Sequence, residues 1–510
     1  MQIDIRPVAR LRGPSALNIP AALTPVFEAL SATSVDMTRL KIVCDWIQYR
    51  ECFAEPVRSR PVLADRPGRL DQDVGGDPGA ATGRAVTPPA SSLELAIDLR
   101  RSDRLDLATS VKQALAEHGE QSELDSPGRM YIESWGPASR SCVWQFNSMY
   151  WQALASWEQA TGREYEQALP GGRSDARNIG TARELIGELL RVWDSLDARQ
   201  ALPEQLYVVE LGVGNGSQAQ TWLDAFVDLD RVHGRDYYRR LHYLMGDYSA
   251  HVLERAWQRV AHHGDHVSAL VLDASRPQRT LGFLKGKAFC VYISNVYDNL
   301  PSDELASIGG RPYVVETRAY LRDDDAARIA RRLHIPRARL STVIDRLLRL
   351  GPELLAETAP DQFADIGASV SLWRAVWADL YLQERYAPLE GLDAYQVAPA
   401  LTGEILRPLL EASGDVRMHV SNGALASFTQ TLPLLHPFGR LICHDLFVTH
   451  PAGYHAGFYG PGKYDGSIVN WVNGPLLQLA GNRRGFDVQI LPFPGRPEAN
   501  VRTLVAQVRD

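Results

Sequence analysis

One stretch constrains this chain more than any other: YVVELGVGNGSQAQTWL, from Tyr207 to Leu223. An apolar run ends in a glutamate, three glycines follow at every second position, and helical spacing begins. Glycine is needed where the backbone turns with positive φ or must approach another group closely. Gly212, Gly214 and Gly216 lie between a strand-like and a helix-like segment, where a doubly wound α/β sheet seats its ligand. Dinucleotide binders use G-x-G-x-x-G at that place, with the pyrophosphate at the helix N-terminus. Here the spacing is G-x-G-x-G, and Glu210 precedes it.

The surrounding pattern agrees with a sheet. LYVVELGVG, LHYLMGDYS, HVSALVLDA and KAFCVYISNVYDNLP read as four strands, separated by the helical SQAQTWLDAFVDL and AHVLERAWQRVAHH. FGRLICHDLFV, FDVQILPF and VRTLVAQVRD supply three more. The expectation is an α/β fold with a Rossmann-like, doubly wound, seven-stranded sheet built from 205–301 and 416–510. Around it we expect an N-terminal helical segment over 1–57, a flexible linker over 58–92, a helical cap region over 93–204, and a helical insertion over 302–415 between the fourth and fifth strands. The linker is dense in Pro, Gly, Asp and Ala and too poor in apolar residues to offset its ordering entropy. The insertion is a candidate substrate lid or partner-docking surface.

A carboxylate beside the glycine loop repels a pyrophosphate and suits a cationic head. S-adenosylmethionine carries an ammonium, a sulfonium and no phosphate, and is the expected cofactor. Glu210, Gly212, Gly214 and Gly216 form its candidate seat. Asp247 and Tyr248 end the second strand, where a carboxylate can accept both ribose hydroxyls; a helix cap is the competing role, which Ser249 fills more naturally. Asp273 and Ala274 end the third strand and are further cofactor candidates; in the class I SAM-dependent methyltransferases, which the glycine loop resembles, that position often receives the adenine amino group, with a turn as the alternative. Ser294 and Asn295 end the fourth, facing sulfonium and substrate. Asp298 is the candidate carboxylate to orient an acceptor and take its proton, and His444 with Asp445 a second candidate pair.

The pattern E-L-G-x-G-x-G resembles the first motif of class I SAM-dependent methyltransferases. LMGDYSAHVLERA, ISNVYDNLP, MHVSNGALASFTQTLPLLHPFGRLICHDLF and YDGSIVNWVNGPLLQLAGNRRGFDV resemble, in order, blocks of the MidA-like methyltransferases, bacterial relatives of a mitochondrial complex I assembly methyltransferase. The resemblance covers roughly 205–495. Where the family has N-E-x-x-D-A-L-P this chain has Asn295, Val296, Tyr297, Asp298, Asn299, Leu300 and Pro301, so the family glutamate is replaced by Val296. The family's D-Y-G becomes Asp445, Leu446 and Phe447. The resemblance implies methyl transfer to a protein side chain, an arginine nitrogen in the eukaryotic relative, and the loss of the glutamate questions that choice here.

The expected partner is a protein or small-molecule methyl acceptor, with self-association left open. The net charge of −7 gives no global basic field. The 49 arginines against five lysines reflect genome composition rather than a binding surface. Seven arginines between Arg328 and Arg349, around a proline-bearing turn, allow a helix-turn-helix reading, but an acidic chain and an insertion between sheet strands argue against nucleic acid. A catalytically inactive scaffold of the same fold is the other rival. The five cysteines are scattered, form no C-x-x-C, and fit a reducing cytoplasm with no structural metal. No membrane segment is expected.

Overall fold

The computed structural model describes residues 1–6, 18–33, 35–47, 49, 51–64, 92–100, 105–119, 126–165, 179–455 and 459–509. Two sheets organise them. The seven-stranded sheet contains β1 (Leu206–Leu211), β2 (Leu241–Asp247), β3 (Val267–Val271), β4 (Ala288–Ser294), β5 (Leu435–Asp445), β6 (Phe486–Pro492) and β7 (Arg502–Val508). Its order is β6-β7-β5-β4-β1-β2-β3. β1 to β5 pair in parallel, and β7 runs antiparallel to both β5 and β6.

The strands are apolar on both sides because helices cover both faces. Val208, Tyr243, Met245, Cys290 and Tyr292 pack toward α1 (Ile179–Ala198), α2 (Ser217–Val232) and α3 (Ala250–Val260). Val209, Leu211, Leu244, Val291 and Ile293 pack toward α4 (Asn422–Thr431) and α5 (Gly474–Asn482). The period of two along each strand sorts the residues between the layers.

The second sheet corrects the sequence expectation. The segment 1–57 is not simply helical: Gln2–Ile5 and Leu40–Asp45 are strands flanking the helix Ile19–Ser31. At the ends of the expected linker, Val57–Val62 and Ser92–Asp98 are strands, while 65–91 lies outside the described residues. The cap region likewise contributes the short strands Arg129–Tyr131 and Gly136–Pro137 besides its helices. The insertion supplies Glu304–Ile308, Arg311–Arg322 and Tyr381–Pro388 in addition to its helices. All of these, with Val416–His419, form one ten-stranded sheet. Its two halves meet where Val57–Val62 lies along Tyr381–Pro388, with Tyr386 opposite Val62.

A helical layer joins the same two parts of the chain. Cys142–Gln152 and Leu154–Thr161 share a core with Asp323–Arg332, Leu340–Thr358 and Ile366–Asp379. Trp157 and Trp373 meet at 4.5 Å, and Phe53 packs edge-on against Trp377 at 5.2 Å. The arginine-rich stretch belongs to this layer. Arg328 pairs with Asp325 and Asp379, Arg337 with Asp323, and Arg349 with Asp345. Three of the seven arginines between Arg328 and Arg349 thus face carboxylates on the same layer. Among the described residues no helix is long and apolar enough to cross a membrane, and all five cysteines are buried and unpaired with one another.

Candidate functional site

The glycine loop leaves β1 in three left-handed steps, with φ of 76° at Gly212, 56° at Gly214 and 78° at Gly216. The N–H groups of Gly212 and Val213 donate to the Gly246 carbonyl at 2.7 and 3.2 Å, which anchors the loop to β2. Gly216 starts α2 and packs against α3, where an added Cβ would lie 2.7 Å from the Ala256 Cα. The other two glycines receive side chains: Val296 rests against Gly212, and the Tyr165 hydroxyl lies 2.9 Å from a Cβ position on Gly214.

Asp247 stands beside this loop at the end of β2. Its Oδ2 accepts the Gly214 N–H at 3.3 Å and its Oδ1 the Ser249 N–H at 3.0 Å. Burial lifts its carboxyl to about 6, against the pull of those N–H groups. The capping role belongs to Ser249, whose Oγ accepts the Val252 N–H at 3.3 Å. Tyr248 follows, half-buried, its hydroxyl accepting from Gln152 Nε2 at 2.7 Å. Asp273 folds into a turn, its Oδ1 accepting the N–H and hydroxyl of Ser275 at 2.8 and 2.6 Å, with half-buried Ala274 between them. Ser294 is half-buried at the end of β4, and its Oγ has no hydrogen-bond partner among the described residues. Asn295 is exposed, with φ of 51° and its N–H on the His444 carbonyl at 2.9 Å. The glycine loop, Asp247, Asp273 and Ser294 thus lie at the carboxyl ends of β1, β2, β3 and β4, along one edge of the sheet.

Glu210 departs from expectation. It is 3 % exposed, and its Oε2 accepts the Tyr243 hydroxyl at 2.7 Å. The alternation that points Val208 toward α2 points Glu210 the same way. Burial pushes its carboxyl up to about 8, with the charge of Asp247 adding and the tyrosine bond opposing. At neutral pH it is largely uncharged, so it is not an open anionic seat.

The three candidate catalytic groups of the later loops are also placed differently. His444 is 2 % exposed, with Nδ1 and the Thr503 hydroxyl 2.8 Å apart across β5 and β7, and burial lowers it to about 4. It is a packed sheet residue without an open face for a base. Asp445 is fully buried; its Oδ2 accepts the N–H groups of Val296 (3.1 Å), Tyr297 (2.8 Å) and Asp298 (3.4 Å). It pins the loop after β4. Asp298 is 6 % exposed, and burial together with the neighbouring Asp445 holds its carboxyl well above the ordinary range. Its Oδ1 accepts from Asn299 Nδ2 at 2.9 Å, and a carboxyl held up in this way resists the ionisation that the expected base needs.

Residues that sequence reasoning missed tie the helical layer to the sheet beside the loop, where Tyr165 meets Gly214 and Gln152 meets Tyr248. Arg255 on α3 donates to Glu158 at 3.1 Å and to Glu164 at 2.9 Å. Asp465 accepts from the Tyr150 hydroxyl (3.1 Å), Trp157 Nε1 (2.9 Å) and Arg163 (3.1 Å). The helices Cys142–Gln152 and Leu154–Thr161 are thereby tied to both the sheet domain and the 462–469 hairpin. The sequence does mark Asp465, in YDGSIVNW, but nothing local names its partners 300 residues away.

No family model and no curated protein sequence matches the chain. Solved structures do. A Burkholderia thailandensis protein bound to S-adenosyl-homocysteine is 13% identical, with 73% of this chain and 88% of that one covered at a TM-score of 0.41. An uncharacterized protein of the same organism gives 13%, 73%, 87% and 0.39. The CcbJ methyltransferase from Streptomyces caelestis gives 11%, 72%, 99% and 0.31. Identities and TM-scores this low carry no argument about activity.

Proposed function

We propose that the chain is an S-adenosylmethionine-dependent methyltransferase acting on a protein side chain or a specialised metabolite. The observation that carries this reading is the half-buried Asp247 carboxylate beside the Gly214 N–H, at the carboxyl edge of the sheet and under a helical roof. The donor set fits the cofactor without Glu210. Asp247 offers acceptors for a ribose diol, Asp273 for an amino group, and the Ser294 Oγ is unpartnered. The order of sequence blocks supports kinship with the MidA-like family. When bound, the cofactor supplies an already activated methyl, so this chain's residues need mainly to position the acceptor and exclude water.

Val296 carries no carboxylate, and burial beside Asp445 opposes ionisation of Asp298, so neither residue favours an arginine acceptor. Since a guanidinium keeps its proton up to about pH 12, the site favours an acceptor that is neutral or loses its proton readily. Exposed Asn295 is the polar side chain best placed to orient it.

Calorimetry with S-adenosylmethionine and S-adenosyl-homocysteine tests the reading. Wild type should bind both, and Asp247→Ala should weaken binding at least tenfold. A protonated Asp247 is a poorer acceptor, so affinity should fall as pH drops through about 6, and Asp247→Asn should flatten that profile. Absence of binding by the wild type would sink the proposal. One observation favours a non-catalytic scaffold instead: Val296 and Tyr165 already lie against Gly212 and Gly214. The same titration separates the two, because a scaffold with a filled crevice binds neither compound.

A further inference from the structure

At the edge of the sheet opposite the crevice, α2 meets the turn Ala261–His266 that leads into β3. We propose that Asp224, His262 and His263 form there a binding site for one divalent transition-metal ion of the zinc class. Their ligand atoms all lie within 4.8 Å of one another. Asp224 Oδ1 is 3.0 Å from His262 Nε2 and 3.0 Å from His263 Nε2. Around a tetrahedral ion with bonds of about 2.0–2.1 Å, ligand atoms stand about 3.3 Å apart. The two carboxylate–imidazole distances lie within a few tenths of an ångström of that spacing, and local movement of the side chains converts the cluster into a coordination shell.

A second observation points the same way. The other ring nitrogen of His263, Nδ1, lies 2.6 Å from the Tyr238 hydroxyl. Such an outer partner fixes ring orientation and aims Nε2 at the common point, as it does for metal-ligating histidines. Two imidazoles and one carboxylate suit zinc, copper or nickel and not magnesium or calcium. Asp224 and His262 have side chains 50% and 52% exposed, so water can complete the shell.

Position decides the role. The site lies at the start of β3, whereas the crevice lies at the strand ends. The ion therefore takes no part in methyl transfer. It ties α2 to the turn that ends α3 and stabilises them by binding the folded chain alone.

The test uses the full chain after treatment with a chelator. Titration with zinc chloride should show one strong site, a raised melting temperature, and with cobalt(II) the visible absorption of a four-coordinate N/O site. His262→Ala and Asp224→Ala should each weaken zinc binding at least tenfold and abolish the melting shift. The His262 side chain is half-exposed, so the metal-free His262→Ala variant should melt with the metal-free wild type. Tyr238→Phe should weaken binding by about 10- to 100-fold, as loss of an outer partner does. Absence of zinc binding by the wild type, or equal binding by His262→Ala and Asp224→Ala, would overturn the site. Neither result bears on S-adenosylmethionine binding.

Discussion

Gly216→Val should lower folding stability by about 2–5 kcal/mol, more than the same change two residues earlier. A β-branched residue at φ of 78° meets a left-handed penalty of about 1–2 kcal/mol. Its Cβ would also stand 2.7 Å from the Ala256 Cα and 3.0 Å from the Ala256 carbonyl oxygen. These are backbone atoms of α3, which cannot yield without moving the helix, so overpacking adds about 1–3 kcal/mol. Gly214→Val carries a similar backbone penalty at φ of 56°, but its neighbour is only the Tyr165 hydroxyl, the tip of a side chain. It should cost about 1–2 kcal/mol and abolish cofactor binding by displacing the roof. Urea midpoints and calorimetry of the two variants check both halves; equal midpoints would show that the α2–α3 contact does not depend on Gly216.

That contrast shows what the sequence disclosed. The spacing G-x-G-x-G after an apolar run located the loop, because the need for positive φ is local. It could not tell that Gly216 serves helix packing and Gly214 the crevice. Glu210 was misjudged for a reason the sequence does contain: it shares parity with Val208 and so faces the helical layer, where Tyr243 holds it. The insertion was read as helical, although ASIGGRPYVVETRAYL holds two adjacent glycines between alternating apolar residues. Gly309 and Gly310, with φ of 58° and 76°, make the tight turn of a hairpin. The N-terminal strands were harder to see. Val57–Val62 borders Tyr381–Pro388, and no local pattern announces a neighbour more than 300 residues away.

The seam between those two strands is where the second large effect is expected. Arg60, with a side chain 1% exposed, donates to Glu94 at 2.8 Å and to Glu384 at 2.5 Å. Arg417 reaches the same Glu384 at 2.8 Å and also pairs with Glu304. Arg60 thus joins a strand from the N-terminal part to one from the insertion, where backbone pairing is sparse. Replacing a buried pair by apolar groups can be neutral, but removing one partner leaves charge without compensation and costs about 3–5 kcal/mol. Arg60→Met should therefore destabilise the chain by about that amount at neutral pH. The double variant Arg60→Met, Glu384→Gln should recover part of it, because one stranded charge is gone. The pH dependence follows from Glu94. Burial alone would raise its carboxyl, but Arg60 and then Arg6 overcome burial and hold it at about 2. An unfolded glutamate titrates near 4.3, so this group's stabilisation is complete above that pH and is lost as pH falls through about 2. In Arg60→Met the depression largely disappears. The gap between wild type and variant should then be widest above about pH 5 and shrink toward pH 2, as urea midpoints measured across that range would show. A gap independent of pH would mean that Arg60 stabilises the seam by packing its stem rather than by its charge.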